Sequence, residues 1–281
     1  MTKFLVIFLI IVLLILVIPF FYKQHAIQKN QLRFKTDYKP FQDIVVDRGG
    51  ETVVILLHGF STGPQEFLSL LPYLDKKKVS YVIPNLIGHN QPDTKIFETI
   101  TYDLWEKQIL ELYKKLAKQY KYVDVIGFSN GGNLALKLST QKDIRNLVLI
   151  NSFSYPNQFF RTIYGLSQFK IMNFIFNHLI GYVPMDPDMK WLFYQYPYVP
   201  FNSLIQILAL QASIDFSKVS AKEMYFIFAS QDDLSDYVLL TEEKLAPLLK
   251  TENILILEKS SHRALEENEL DKITALLDRI Y

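Results

Sequence analysis

The chain has 281 residues, of which 49% are hydrophobic and 21% are charged, and its formal net charge is +1. This length and composition suit one large α/β domain with a full core, and the balanced charge gives no basic surface of the kind that indicates a nucleic-acid partner. The lack of cysteine excludes disulfides, thiolate catalysis and cysteine-bound metals.

The chain begins with an apolar run of 19 residues, from Phe4 to Tyr22. An α-helix rises about 1.5 Å per residue, so a helix of this length approaches the thickness of the hydrocarbon core of a bilayer. A cleaved signal peptide has a shorter apolar region and ends in a small-residue cleavage site, which this run lacks. We therefore expect residues 1–23 to form a single-pass transmembrane anchor.

The charges that flank this run predict its orientation. One basic side chain precedes it, Lys3, whereas the connector behind it carries Lys23, Lys29, Arg33 and Lys35. The positive-inside rule then places the rest of the chain in the cytoplasm. The opposite orientation, that of a signal anchor that exports its domain, stays open on sequence grounds.

Strands and helices alternate through the rest of the chain. Residues 24–50 predict a polar connector with an edge strand or hairpin at residues 44–46. Short β-branched and apolar runs predict buried strands at residues 53–57, 81–83, 122–126, 147–150, 224–228 and 254–257. Helical patterns lie at residues 65–74, 101–120, 132–138, 237–249 and 267–280. This alternation predicts a doubly wound, mostly parallel sheet in one domain, residues 51–281.

One segment, at about residues 152–215, interrupts this alternation, since it contains no clear strand. It is rich in aromatic residues: Phe153, Phe159, Phe160, Phe169, Phe174, Phe176, Trp191, Phe193, Tyr194, Tyr196 and Phe201. An insertion at the carboxyl edge of a sheet commonly covers the site, so we expect a helical cap. Its rings would either line an apolar pocket or fill the core of the cap itself.

The motif Gly127-Phe128-Ser129-Asn130-Gly131 stands between a predicted strand and a predicted helix. G-x-S-x-G at such a junction is a nucleophile elbow, in which the glycines permit a sharp turn and the serine is raised above the strand end. The N-terminus of the following helix points to the same place and would stabilise an oxyanion there. Ser129 is therefore the predicted nucleophile.

A serine nucleophile needs a base, and the base needs an orienting acid. Among the five histidines, His262 follows the last predicted strand, while Asp232 and Asp233 follow the strand before it. The carboxyl ends of the strands in an open α/β sheet are where sites form. We therefore predict a catalytic triad of Ser129, His262 and Asp232, with Asp233 as the alternative acid.

Two backbone N–H groups are predicted to form an oxyanion hole. One belongs to Asn130, directly after the nucleophile, and the other to Phe60, in the loop that follows the first buried strand. The nearby His58 and His89 are predicted to be structural, and His178 has no predicted role. The histidines are scattered and no H-E-x-x-H motif occurs, so we expect no metal and no other cofactor.

These motifs resemble those of the α/β-hydrolase superfamily, nearest to the bacterial carboxylesterases and monoacylglycerol lipases of the serine-aminopeptidase-like group. The resemblance extends over residues 53–280. It rests on Leu56-Leu57-His58-Gly59-Phe60, on Pro84 and Gly88-His89, on Gly127-Phe128-Ser129-Asn130-Gly131-Gly132, on Ser230-Gln231-Asp232-Asp233 and on Ser260-Ser261-His262. It implies an α/β-hydrolase fold with serine hydrolysis and leaves the substrate open. Asn130 departs from the pattern, since relatives often carry Met or Gln there, as does Asn90, where they usually carry glycine.

The expected function is that of a membrane-anchored serine esterase for short or medium acyl esters or monoacylglycerol-like lipids. Its partners would be the ester or lipid substrate and, through the N-terminal helix, a membrane. Two alternatives stay open: an amidase, peptidase or thioesterase with the same triad, and a non-catalytic membrane-tethered binding module on the same fold. The oligomeric state is not predicted.

Overall fold

A computed structural model describes residues 7, 17–32, 41–185, 196–240, 243, 248, 250–265 and 269–281 of the chain. The strands are β1 (Ile44–Val46), β2 (Thr52–Leu57), β3 (Ser80–Ile83), β4 (Tyr122–Phe128), β5 (Ile144–Ile150), β6 (Tyr182–Pro184), β7 (Tyr198–Pro200), β8 (Ala221–Ala229) and β9 (Ile254–Leu257). Seven of them form one sheet in the order β1-β3-β2-β4-β5-β8-β9, and β6 and β7 form a separate pair.

The large sheet is parallel from β3 to β9. Its exception is the edge strand β1, which runs antiparallel to β3 with Ile44 opposite Ile83. Parallel neighbours need crossover connections, and helices supply them here. The prediction of a mostly parallel α/β sheet is therefore confirmed.

The described residues include helices of different lengths between and around the strands. They are α1 (residues 17–32), α2 (Leu71–Lys76), α3 (Ile96–Thr99), α4 (Tyr102–Leu116), α5 (Asn130–Ser139), α6 (Gln158–Ser167), α7 (Lys170–Phe174), α8 (Phe201–Ala212), α9 (Tyr237–Leu240) and α10 (Leu270–Leu277). Short 3-10 turns lie at Pro64–Phe67, Phe216–Lys218 and Thr251–Asn253, and a π-helical turn at Ile175–Ile180.

Alternate side chains of each strand point to opposite faces of the sheet and fill two separate cores. Along β2, Val53, Ile55 and Leu57 pack with side chains of α4, α5 and α8. Val54 and Leu56 pack on the other face with side chains of α2 and α10. Each fully buried side chain of this kind contributes about 1.5–3 kcal/mol, so the sheet is a firm support for the loops at its carboxyl edge.

The predicted helix at residues 65–74 is divided in the structure. A 3-10 turn spans Pro64–Phe67, and α2 begins only at Leu71, with Pro72 in its first turn. Proline lacks the N–H that a continuing helix would need, so it suits the first turn of a new one. Phe67, Leu70 and Leu74 are all fully buried, because the turn and the helix face the same core.

The segment between β5 and β8 contains α6, α7, α8 and a two-stranded hairpin. The sequence predicts no strand there, whereas the structure pairs β6 with β7 and sets Val183 opposite Val199. Each strand has three residues and ends in a proline, Pro184 or Pro200. Such strands are too short to show the alternation by which a sequence indicates a strand.

The predicted membrane anchor requires a correction. Within the described residues, no helix is long and apolar enough to cross a membrane; residues 1–6 and 8–16 of the expected anchor lie outside that description. The end of the apolar run contacts protein instead, since Tyr22 packs with Ala26 and Ile27 against Tyr182 of β6. On this finding the prediction of a membrane localisation is wrong, and the cytoplasmic orientation that was inferred from it loses its premise.

Candidate active site

The turn between β4 and α5 holds Ser129. The serine has φ 53° and ψ −120°, outside the helical and extended regions, and such strain costs of order 1–3 kcal/mol. Close packing imposes this conformation. A Cβ on Gly127 would lie 2.5 Å from the Gly131 carbonyl oxygen, and a Cβ on Gly131 would collide with the carbonyl oxygen of Leu57. The turn therefore presents the Ser129 hydroxyl at the carboxyl edge of the sheet.

The Ser129 hydroxyl contacts the ring of His262. Ser129 Oγ lies 2.8 Å from His262 Nε2, and the other ring nitrogen, Nδ1, lies 2.7 Å from Asp232 Oδ2. An ionised carboxylate only accepts hydrogen bonds, so Nδ1 carries the proton and Nε2 is left to accept from the serine. The structure thus brings together three residues that the sequence places after three different strands.

Asp232 is almost fully buried, with a side chain that is 3% exposed. Burial by itself raises the pKa of Asp232, but the hydrogen bond and charge of His262 and the hydrogen bonds from Leu234 and Ser235 outweigh it and lower the pKa below its usual value. The Leu234 N–H donates to Oδ1 at 2.9 Å and the Ser235 hydroxyl to Oδ2 at 3.0 Å. The neighbouring Asp233 instead accepts from the Asn157 amide through its backbone oxygen.

Asn151, a residue that the sequence reasoning missed, joins the loops of this site. It follows β5, is 1% exposed and has a φ of 42°. Its amide nitrogen donates to the carbonyl oxygens of Ser261 (3.1 Å) and His262 (2.9 Å), and its amide oxygen accepts from the Ala229 N–H at 2.8 Å. The sequence does place an asparagine directly after a buried strand, and asparagine tolerates positive φ, so this position could have indicated a structural role at the strand end.

Phe60 and Asn130, whose N–H groups are predicted to bind an oxyanion, both line the cavity in front of Ser129. Asn130 is the first residue of α5. The loop of Phe60 is held by Glu66, whose Oε2 accepts from the Gly59 N–H at 2.5 Å. A Cβ on Gly59 would lie 3.3 Å from the Ser129 Cβ, so this loop passes directly beside the serine.

His58 and His89 are buried behind the same loop, with ring centroids 4.9 Å apart. His58 Nε2 accepts from the Leu86 N–H at 3.1 Å, and Nδ1 lies 2.8 Å from the Gly59 oxygen, so His58 is a neutral ring that donates from Nδ1. Burial lowers the pKa of His58 to about 4, against the opposing hydrogen bond to Gly59. Burial, and then the proximity of His58, place the pKa of His89 well below its usual value. Both rings are therefore neutral at pH 7.

A cavity of about 660 Å³ opens in front of Ser129. Its walls are mainly apolar side chains of the segment between β5 and β8, which include Phe153, Phe159, Phe160, Ile163, Leu179, Ile180, Val183, Phe201, Leu204 and Ile207. Cavities of this volume and character hold small organic ligands and bind them mainly through apolar contact.

The aromatic residues of this segment divide between the cavity and the packing of the segment itself. Phe153, Phe159, Phe160 and Phe201 line the cavity. Phe176 stacks on Phe201 with centroids 4.5 Å apart, while Phe169 and Phe174 are exposed and Trp191, Phe193 and Tyr194 lie outside the described residues. Some of the aromatic rings therefore line the cavity, and others pack within the segment.

α/β hydrolases carry their nucleophile on a sharp turn after a central strand of a mostly parallel sheet, and Ser129 lies on a turn with this geometry. The sequence agrees with the structure on this point: the chain belongs to the alpha/beta hydrolase fold family, whose model matches residues 52–219.

A curated relative is a carboxylesterase of Bacillus subtilis (strain 168), which is 30% identical over 102 residues. The alignment covers 36% of this chain, and the chain spans only 41% of the length of that relative.

Solved structures of lipolytic enzymes are similar in fold. The structure described for the metagenome-derived lipolytic enzymes LipS and LipT has a TM-score of 0.71 and 18% identity, over 86% of this chain and 97% of the other. A soluble variant of monoglyceride lipase from Saccharomyces cerevisiae has a TM-score of 0.64 and 11% identity, over 87% and 95%. At these identities the likeness establishes the fold. The relatives are esterases and lipases, which confirms the resemblance found in the motifs.

Proposed function

We propose that the protein is a serine hydrolase that cleaves carboxylic esters with apolar acyl chains. The observation that carries this is the pair of short contacts from Ser129 Oγ to His262 Nε2 (2.8 Å) and from His262 Nδ1 to Asp232 Oδ2 (2.7 Å) beside an apolar cavity. A serine hydroxyl without such a base is a weak nucleophile at neutral pH. The esterases and lipases among the relatives support an ester as the substrate class.

The first half of the reaction transfers the acyl group to the enzyme. Ser129 Oγ attacks the ester carbonyl carbon while His262 Nε2 takes the hydroxyl proton, and the carbonyl electron pair moves to the oxygen. The tetrahedral intermediate then collapses, the bond to the alcohol oxygen breaks, and Nε2 returns its proton to that oxygen. Water attacks the acyl-enzyme by the same sequence of steps, which releases the carboxylic acid and restores Ser129.

Asp232 would act on His262 rather than on the substrate. Its carboxylate accepts the Nδ1 proton and so keeps Nε2 free to receive the serine proton. The pKa of Asp232 is lowered, since the hydrogen bonds it accepts outweigh the effect of its burial. The aspartate is therefore charged at neutral pH and stabilises the imidazolium that forms in each step.

The negative oxygen of the intermediate would be held by the N–H groups of Phe60 and Asn130. The Asn130 N–H belongs to the first turn of α5, where the helix dipole also favours negative charge. Glu66 holds the Phe60 loop against the nucleophile through the Gly59 N–H. One such donor is worth about 10²–10³ in kcat.

The segment between β5 and β8 would act as the cap that binds the acyl chain. Its apolar side chains form most of the cavity wall, and among them Phe153, Phe160 and Phe201 come from three different parts of the segment. Each methylene that leaves water in such a pocket contributes about 0.8 kcal/mol, so binding favours an aliphatic acyl group.

An aminopeptidase with the same triad would need carboxylates that bind the substrate amine. Asp186 and Asp188 lie outside the described residues. Asp215 is exposed and pairs with Lys218 at 3.1 Å, so it supplies no amine site. An ester is the better supported substrate.

Labelling of the full chain with a fluorophosphonate tests this function, because the probe reacts with an activated serine. We expect one adduct, mapped to Ser129, which is lost in His262→Ala. Turnover of p-nitrophenyl esters should fall by at least about 10³-fold in Ser129→Ala. Ser220→Ala is the matched control, since Ser220 is exposed and its hydroxyl donates to the surface residue Asp143 at 3.0 Å. Labelling elsewhere, or ester turnover that survives in Ser129→Ala, would contradict the proposal.

A further inference from the structure

The helix α1 lies outside the matched family region, which begins at residue 52, yet it is firmly docked on the rest of the protein. Its Asn30 is fully buried. The Asn30 amide nitrogen donates to Thr94 Oγ1 and to the Tyr198 carbonyl oxygen, both at 2.9 Å, and the amide oxygen accepts from the Tyr198 N–H at 3.1 Å. Because both the nitrogen and the oxygen of this buried amide form hydrogen bonds, Asn30 fixes the position of the helix along β7.

A second set of contacts docks the middle of α1. Lys23 Nζ lies 2.6 Å from Glu98 Oε2 of α3, and Glu98 Oε1 accepts from the Tyr182 hydroxyl at 2.8 Å. Ala26 and Ile27 are buried against the same Tyr182. Tyr182 therefore joins α1 to the hairpin and to α3 at once.

This docking brings the first described turn of α1 to the cavity. Ile18, Pro19 and Tyr22 all line the cavity that opens in front of Ser129. The Tyr22 ring meets the Tyr198 ring edge to face, with centroids 6.1 Å apart, and is half-buried, whereas Ile18 is 60% exposed. Tyr22 thus forms part of the wall, and Ile18 lies at the mouth.

We propose that Ile18, Pro19 and Tyr22 form the outer wall of the acyl pocket and determine the acyl-chain length that the enzyme prefers, which makes medium-chain aliphatic acyl esters its substrate class. The proposal rests on the proposed ester hydrolysis. An acetyl group occupies only the space beside Ser129, whereas a longer chain extends through the cavity toward α1. Each methylene buried on the way is worth about fourfold in kcat/KM.

The test is an acyl-length profile, measured as kcat/KM on p-nitrophenyl esters from acetate to dodecanoate with the full chain. Tyr22→Ala removes part of the wall and should move the preferred acyl group to longer chains. Ile18→Trp fills the mouth and should move it to shorter chains. We expect the ratio of kcat/KM for the decanoate to that for the acetate to change by at least about fivefold, in opposite directions in the two variants.

Control variants distinguish an effect of the cavity wall from a general effect of substitution in α1. Gln24→Ala changes an exposed position of the same helix and should keep the wild-type profile. Circular dichroism and thermal unfolding establish that each variant is folded. If Tyr22→Ala weakens the packing of α1, the profile of Ile18→Trp alone still tests the proposal.

Two negative results have different meanings. A wild-type profile in both Tyr22→Ala and Ile18→Trp would overturn this inference and leave ester hydrolysis intact. A wild-type chain that turns over none of the esters would overturn the proposed function and this inference with it.

Discussion

The side-chain amide of Asn151 donates a hydrogen bond to the backbone oxygen of His262, over 2.9 Å. The two residues lie after β5 and β9, and the same amide also holds Ser261 and the Ala229 N–H. One side chain therefore joins the loop of His262 to the end of β8, which leads to Asp232.

Substitution of Asn151 should slow the chemistry more than it weakens substrate binding. Asn151→Gly tolerates the positive φ but removes the three hydrogen bonds, so His262 is less well held for proton transfer. We expect kcat to fall by about 10- to 100-fold with little change in KM. The measurement is kcat and KM on one ester, together with the rate of fluorophosphonate labelling of Ser129. A variant that is folded at the assay temperature and keeps the wild-type kcat would show that Asn151 does not position the relay.

Separate substitution of the two adjacent aspartates should identify the carboxylate that orients His262. Asp232→Asn offers His262 an amide in place of a carboxylate, which favours the wrong tautomer, and a loss of about 10⁴ in kcat is expected. Asp233→Asn is the matched control and should stay within about twofold of wild type, since Asp233 contributes its backbone oxygen to Asn157. Equal losses in the two variants would contradict the assignment of Asp232, and a larger loss in Asp233→Asn would favour the alternative acid.

Acid should destabilise the protein through its buried histidines. The pKa of folded His58 is lowered to about 4 by burial, while that of an unfolded histidine is about 6.5. The unfolded chain therefore binds more protons between these values, and stability is lost as the pH falls from 6.5 to 4, by about 3 kcal/mol for His58 alone. Thermal unfolding across this pH range measures the effect.

The partner ring provides the variant for that experiment. His89→Phe keeps a ring among Phe60, Phe97 and Trp105 but cannot be protonated, so its melting temperature should fall less between pH 7 and pH 4.5 than that of the wild type. His178→Phe, at an exposed ring, is the matched control for the replacement of a histidine by phenylalanine. A wild-type slope in His89→Phe would exclude His89 as a source of the acid sensitivity.

Substitution by alanine should have opposite effects on stability at two glycines. Gly131→Ala places a Cβ against the Leu57 carbonyl oxygen, which disrupts the turn, so we expect little folded protein. Gly165→Ala places a Cβ in open space within the helix Gln158–Ser167, and should raise stability by about 0.5–1 kcal/mol. Soluble yield and urea unfolding measure both effects. Similar stability in the two variants would show that close packing does not impose the turn at Ser129.

The parts of the protein that depend on neighbours along the chain could be predicted from the sequence. A short β-branched strand, two glycines and a helix start around Ser129 predict the turn, because glycine permits the sharp bend and the close backbone approach that a strand-to-helix turn requires. The strand pattern likewise predicted the mostly parallel sheet. The positions of His262 and Asp232 after strands predicted that they would lie at one edge, and the structure places them there.

Features that depend on contacts between residues far apart in the chain could not be predicted in this way. The contact of His262 with Asp232 rather than with Asp233 depends on a turn in which Leu234 and Ser235 bind one carboxylate. Asn151 bonds the end of β8 and the loop of His262, which lie 78 and 111 residues further along the chain. The end of the apolar run was interpreted as part of a membrane anchor because hydropathy measures only how much apolar surface must be buried. In the folded protein Tyr22 packs against Tyr182 and Tyr198 instead. The hydropathy of a segment does not show whether a membrane or another part of the same protein will bury it, because the burying surface forms only when distant residues fold together.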